Sequence, residues 1–186
     1  MLRNTTNTWG LPARIFHWLA AAAILVLLSH GWWMTHLIPA SPQRLANFSW
    51  HAALGYDLLA VMALRLLWRW LAGAPALPAD SKRWERLAAN SGHLLLYLFT
   101  FAVTLAGWAL AGTLRTPLTN DLFGISLPLI YTSHDRAVHE LLEDGHKILA
   151  YLLAAIIVVH IAGALRHHFI KHNNVLRRMW WSYAAP

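Results

Sequence analysis

The sequence predicts an all-α membrane protein, a four-transmembrane-helix bundle with both termini cytoplasmic, and three observations carry that prediction. The 186 residues are 58% hydrophobic and only 12% charged, with a mean hydropathy of +0.42, which lies outside ordinary soluble composition. Four apolar runs, at about 13–35, 48–71, 90–112 and 145–168, each reach the roughly 20 residues a helix needs to cross a bilayer. Lysine and arginine are unevenly placed: with both termini and the 72–89 loop on one side, 11 of the 15 fall there, Arg3, Arg14, Lys82 and Arg178 among them. By the positive-inside rule that side is the cytoplasm.

The formal net charge of +7 is therefore read as a topogenic bias beside anionic headgroups, with no nucleic-acid partner expected. The first apolar run follows a polar stretch and is longer than a signal-peptide core, without a convincing cleavage site, so it is expected to stay as a span. Residues 1–186 are read as one domain in a cytoplasmic (inner) membrane, surrounded by lipid. Cysteine is absent, which excludes disulfides, thiolate-bound iron–sulfur clusters and C-x-x-C-H haem attachment. Any redox metal must use other ligands, and 12 histidines are present.

Span 1 opens with ARIFHW, with Pro12 suited to a helix start and His17 near the cytoplasmic end. His30 lies 13 residues on, a rotation of about 140° from His17, so an outer-interface role beside Trp32 and Trp33 is expected. Span 2, HAALGYDLLAVMALRLLWRW, has His51 at its outer end, with Gly55 one turn deeper leaving room for a flat macrocycle. Arg65 follows His51 by 14 residues on the same face, suited either to haem propionates or to snorkelling toward headgroups. Asp57 is anomalous, because a carboxylate about 9 Å below His51 is costly unless protonated, paired or facing water; pairing within the bundle is expected.

Span 3, GHLLLYLFTFAVTLAGWALAG, carries His93 at its inner end, a candidate hydrogen-bond donor to a propionate or a quinone oxygen and otherwise an interfacial group. The 113–140 segment is the longest connection, and LFGISLPLIY within it is too short to span; a cap or re-entrant piece is expected. Span 4 holds His146 and His160. Their 14-residue spacing returns to within roughly 40° of one face and rises about 21 Å, so one helix presents two imidazoles at two depths. Imidazole is a usual axial ligand of haem iron, and each iron would need a second imidazole from another helix. The alternative is that His146 sits at the surface and His160 is a polar contact between helices. If neighbouring spans run antiparallel, His17 lies level with His160 and His51 with His146. His167, seven residues after His160, is a further candidate for quinone or propionate contact, and the basic, aromatic tail RHHFIKHNNVLRRMWW is expected at the cytoplasmic interface.

RIFHW, HAALGYDLLAVMALRLLWR, GHLLLYLFTF, and H-x13-H followed by ALRHHF together resemble the bacterial cytochrome b561 family of four-helix di-haem b membrane proteins, over almost the whole chain. The resemblance implies two haem b groups with His17, His51, His146 and His160 as the iron ligands, His51 with His146 at the outer haem and His17 with His160 at the inner one. It implies electron transfer between a periplasmic donor and membrane quinone such as ubiquinone, and some relatives are described as oxidising superoxide. Two other readings stand beside it: a membrane-anchoring cytochrome b subunit of a larger dehydrogenase or hydrogenase, and a histidine-based transporter or metal-handling protein.

Overall fold

Four long helices account for most of the chain. In a computed structural model describing residues 2–78, 81–115, 118, 121–123 and 125–180, α1 is Leu11–His36, α2 Pro42–Ala72, α3 Arg83–Ala111 and α4 Arg136–Phe169, followed by the short 3-10 turn Arg177–Met179. All four are long and apolar enough to cross a membrane. Consecutive helices run in opposite directions, with contacts between α1 and α2, α2 and α3, and α3 and α4. Both ends of the chain therefore lie at one end of the bundle, here the terminal end; the other is the distal end. Residues 79–80 of the 72–89 loop, 116–117, 119–120 and 124 of the 113–140 segment, and Trp181 of the tail lie outside the described residues.

Local chemistry sets the helix ends. Pro12 sits in the first turn of α1 and Pro42 opens α2, where a missing N–H costs nothing. Ser41 caps α2 by accepting from the Arg44 N–H at 3.3 Å. The Lys82 N–H donates to the Glu85 carboxylate at 2.8 Å at the start of α3. Asp135 caps α4, accepting from the Ala137 and Val138 N–H groups at 2.7 and 3.3 Å.

Each helix outruns the apolar stretch predicted for it, α4 most of all, which begins at Arg136 where the span was predicted at 145. The extra turns carry the ion pairs Arg136–Glu140 (2.7 Å) and Glu143–Lys147 (2.7 Å) at i,i+4 spacing. Such pairs sustain a helix beyond the hydrocarbon region.

The core is narrow, made of Ala20, Ile24 and Leu27 from α1, Leu58 and Met62 from α2, Val103 from α3 and Leu153 from α4. Large apolar side chains such as Leu64, Leu98, Leu105, Val158 and Val159 point outward and are exposed. A soluble bundle would bury such a surface; a membrane protein turns it to lipid.

The terminal end is closed by main-chain ties. Asn4 donates to the Gly73 carbonyl at 2.7 Å, the Ala76 N–H to the Thr6 carbonyl at 2.9 Å, and Arg178 to the Ala76 carbonyl at 2.6 Å. Arg14 and Trp18 donate to the carbonyls of Trp180 and Met179 at 3.0 and 2.9 Å. Beside them Glu85 accepts from Arg166 at 2.8 Å and lies 3.4 Å from Lys171, joining α3 to α4 and the tail.

At the distal end, the segment predicted as a cap contains a two-stranded antiparallel ribbon, β1 Asp121–Leu122 paired with β2 Ile125–Ser126, that packs against α2. Trp108 donates to the Pro128 carbonyl at 3.1 Å, and the Ser133 N–H to the Gly112 carbonyl at 3.2 Å. A side chain at Gly112 would run into the Tyr131 carbonyl, so the segment returns over α3 only because that residue is glycine.

Candidate functional site

Two pairs of imidazoles face each other inside the bundle, one near each end, and α4 contributes to both. Near the terminal end the ring centroids of His17 on α1 and His160 on α4 are 6.4 Å apart, at an interplanar angle of 61°. Near the distal end His51 on α2 and His146 on α4 are 6.3 Å apart, at 78°. Fourteen residues of α4 separate the two, so one helix face supplies both depths.

The separations bear on what the pairs can hold. Two imidazoles sharing one metal through Nε2, at metal–nitrogen bonds of about 2 Å, keep their ring centroids about 6 Å apart. Direct hydrogen bonding between the rings would bring them closer. The donor set and the spacing fit a six-coordinate iron between each pair.

The histidine surroundings differ. His146 donates from Nδ1 to the Val103 carbonyl at 2.9 Å, which leaves Nε2 as the free lone pair and orients the ring. Gly107 lies against that ring: a Cβ there would stand 3.0 Å from Cε1 and 3.2 Å from Nδ1. Gly31 on α1 serves His51 in the same way, with a notional Cβ 3.2 Å from its Cε1. The His51 Nδ1 is buried with no hydrogen-bond partner. At the terminal end the Arg65 guanidinium donates to the His17 Nδ1 at 3.1 Å and lies 5.5 Å from the Tyr97 ring.

The other predicted site residues are spread more widely. His93 comes to 5.7 Å from His160, ring to ring, making a third imidazole at the terminal end. His167 sits in the last turn of α4, its Nδ1 2.9 Å from the Asn173 side-chain amide. Gly55 has nothing within 4 Å of its notional Cβ, so it leaves open space on α2. His30 lies beside Trp33 as expected, ring to ring at 5.6 Å, and also faces α2: it stacks on His51 at 5.8 Å and 20°, lies 4.7 Å from Trp50, and its Nε2 donates to Asn47 at 3.1 Å. Asp57 does not pair within the bundle, since it accepts from the Phe123 backbone N–H of the ribbon at 2.8 Å.

Gly31, Gly107 and the terminal-end arginine Arg69, which lies over Trp9 at 5.9 Å, did not emerge as site residues from the sequence. The only available signal was a glycine inside each of two helices, and it does not say which neighbour approaches.

The family model for prokaryotic cytochrome b561 matches residues 8–182. Cytochrome b561 homolog 2 of Escherichia coli (strain K12) is 31% identical over 178 residues, covering 95% of this chain and 93% of that protein. Cytochrome b561 homolog 1 of the same organism is 26% identical over 129 residues, 69% of this chain and 72% of that one. The family match begins ahead of α1 and runs through the tail, so all four helices and both imidazole pairs fall within it. The chain belongs to the prokaryotic cytochrome b561 family, and it is a multi-pass protein of the bacterial inner membrane in which electrons cross by way of b-type haem.

Proposed function

We infer that this chain binds two haem b groups, one between His17 and His160 and one between His51 and His146, and passes electrons between a periplasmic donor and membrane quinone. The observation that carries the reading is the pair of imidazole separations, 6.4 and 6.3 Å, at two levels of one helix. When bound, each haem would supply a one-electron iron couple, held by His17 and His160 at one level and by His51 and His146 at the other. The chain's own residues hold and insulate. Val103, through its carbonyl, fixes the tautomer of His146, and the outward-facing leucines and valines keep water from the bundle.

The orientation belongs to the same reading. Arg14, Lys82, Arg83, Arg86, Arg166, Lys171, Arg177 and Arg178 all lie at the terminal end, and by the positive-inside rule this supports reading that end as cytoplasmic and the ribbon as periplasmic. His93 and His167 at the terminal end, with Gly55 on α2, remain residues for contact with haem or quinone.

The activity is that of a quinone-linked oxidoreductase. Two superoxide ions giving up one electron each become two dioxygen molecules, and quinone taking those two electrons with two protons becomes quinol. Anaerobic mixing of the reduced protein with a ubiquinone analogue tests the acceptor half: loss of the reduced haem bands with quinol formation is expected, and unchanged bands contradict it. A superoxide pulse into the oxidised protein tests the donor half by appearance of the same bands.

A further inference from the structure

Two ring nitrogens near the distal imidazole pair are buried without a hydrogen-bond partner among the described residues, and they belong to neighbouring rings: Nδ1 of His30 on α1 and Nδ1 of His51 on α2. The two rings are nearly parallel, at 20°, with centroids 5.8 Å apart. A buried polar atom left unmatched is costly, so two of them side by side raise the matter of which one carries a proton.

The surroundings of His30 fix its own proton. Asn47 donates through its side-chain nitrogen to the Gln43 carbonyl at 2.9 Å, which turns the amide oxygen toward His30. The His30 Nε2 stands 3.1 Å from that oxygen and donates to it. In a neutral imidazole the other nitrogen is then a bare lone pair, so the His30 Nδ1 is an acceptor. Trp33 and Trp50, 5.6 and 4.7 Å away ring to ring, flank it.

His51 supplies the complement when iron is at its Nε2, because its proton then sits on Nδ1 and needs an acceptor. His146 has such an acceptor in the Val103 carbonyl at 2.9 Å, whereas His51 has none. Two imidazoles joined N–H···N at about 2.9 Å keep their centroids about 5.2 Å apart. The His30 and His51 rings stand only about half an ångström further apart than that, a gap that a small turn of either ring closes. Gly31, next to His30 in the chain, gives the His51 ring its room, since a Cβ there would stand 3.2 Å from Cε1.

We propose that His30 is a positioning residue for the distal site: its Nδ1 accepts the Nδ1–H of His51, and Asn47 holds it in the tautomer that can do so. The proposal rests on the two-haem reading above. An acceptor at Nδ1 fixes the plane of the His51 ring and makes the imidazole a stronger electron donor, which favours the ferric over the ferrous state of the iron it holds.

The test uses the purified holoprotein with ¹⁵N-labelled histidine, read by potentiometric titration and redox-difference infrared spectra. His30→Phe keeps a ring of similar shape and removes the acceptor; His30→Gln keeps a side-chain oxygen that can accept. The Phe variant is expected to retain two haems, to raise the midpoint potential of the haem that His51→Ala loses, and to shift a histidine ring band, while the other haem is unmoved. The Gln variant should return both signals toward those of the unaltered protein. If the Phe variant does not hold two haems, Asn47→Ala, which frees the His30 tautomer, carries the measurement and should raise the same potential by a smaller shift. Two bound haems with unmoved potential and band in the variant measured, or a rise that the Gln variant does not reverse, overturn the role of His30 alone. Fewer than two haems in the unaltered protein overturns the reading beneath it.

Discussion

His51 and His146, 95 residues apart in the chain and on different helices, hold their rings 6.3 Å apart at 78° near the distal end of the bundle, while Gly107 of a third helix lies against the second of them. The pair matters because each helix contributes one imidazole, so removing either leaves the partner unable to hold a six-coordinate iron.

Replacing His51 or His146 with Ala is expected to abolish one haem and spare the other, and replacing His17 or His160 to do the converse. On the two-haem proposal, each change would remove one of two ligands from a single iron. Haem content per chain, with the low-temperature α-band of what remains, reads the outcome. His30→Ala should keep both haems even though His30 stacks on His51, because Asn47 already occupies its Nε2. Loss of the distal haem in His30→Ala with its retention in His51→Ala would transfer the ligand role from α2 to α1.

Gly107→Ala should disturb the distal site while leaving the fold intact. A Cβ 3.0 Å from the His146 Cε1 forces the ring or the helix to shift, at a cost of about 1–3 kcal/mol typical of overpacking. The electron paramagnetic resonance signal of the distal ferric haem should move, since it reports the ligand planes, and the other should not. Gly55→Ala, with open space around it, is the control and should move neither. Identical spectra for Gly107→Ala and the unaltered protein would remove the glycine from any positioning role.

Asp57 is expected to act as a tether for the ribbon. Asp57→Asn keeps an oxygen acceptor for the Phe123 N–H and should retain both haems and normal quinone turnover; Asp57→Ala should speed amide exchange at Phe123 about 10–150-fold, the equivalent of the roughly 1.5–3 kcal/mol for a hydrogen bond to a charged group. Slow quinone turnover in Asp57→Asn with unchanged haem spectra would instead give this carboxylate a part in proton transfer.

Hydropathy and histidine spacing made the helices and the two levels of imidazole legible, because a spanning helix must be continuously apolar and 14 residues return to one face. The helix ends were less legible. An apolar run marks where lipid is, whereas α4 continues outward on the Asp135 cap and on pairs such as Arg136 with Glu140, which leave no hydropathy signal. His30 shows a second limit. Its azimuth was expected to differ from that of His17 by about 140°, but which neighbour stands in that direction depends on packing, and at that level it is α2 with Trp50 and His51. The partner of Asp57 was illegible for a related reason: a backbone N–H 66 residues away carries no side-chain signature. Gly31 and Gly107 look like any helical glycine until the ring that approaches them is known.

The central claim is two haems held by four histidines, and the most direct measurement is a reduced-minus-oxidised spectrum of the purified protein combined with haem extraction and protein quantitation. The expected result is two non-covalent haem b groups per chain, both low-spin and six-coordinate, fully removed by acid acetone. One haem per chain, or a high-spin ferric spectrum from undamaged protein, would contradict the pairing of His17 with His160 and of His51 with His146.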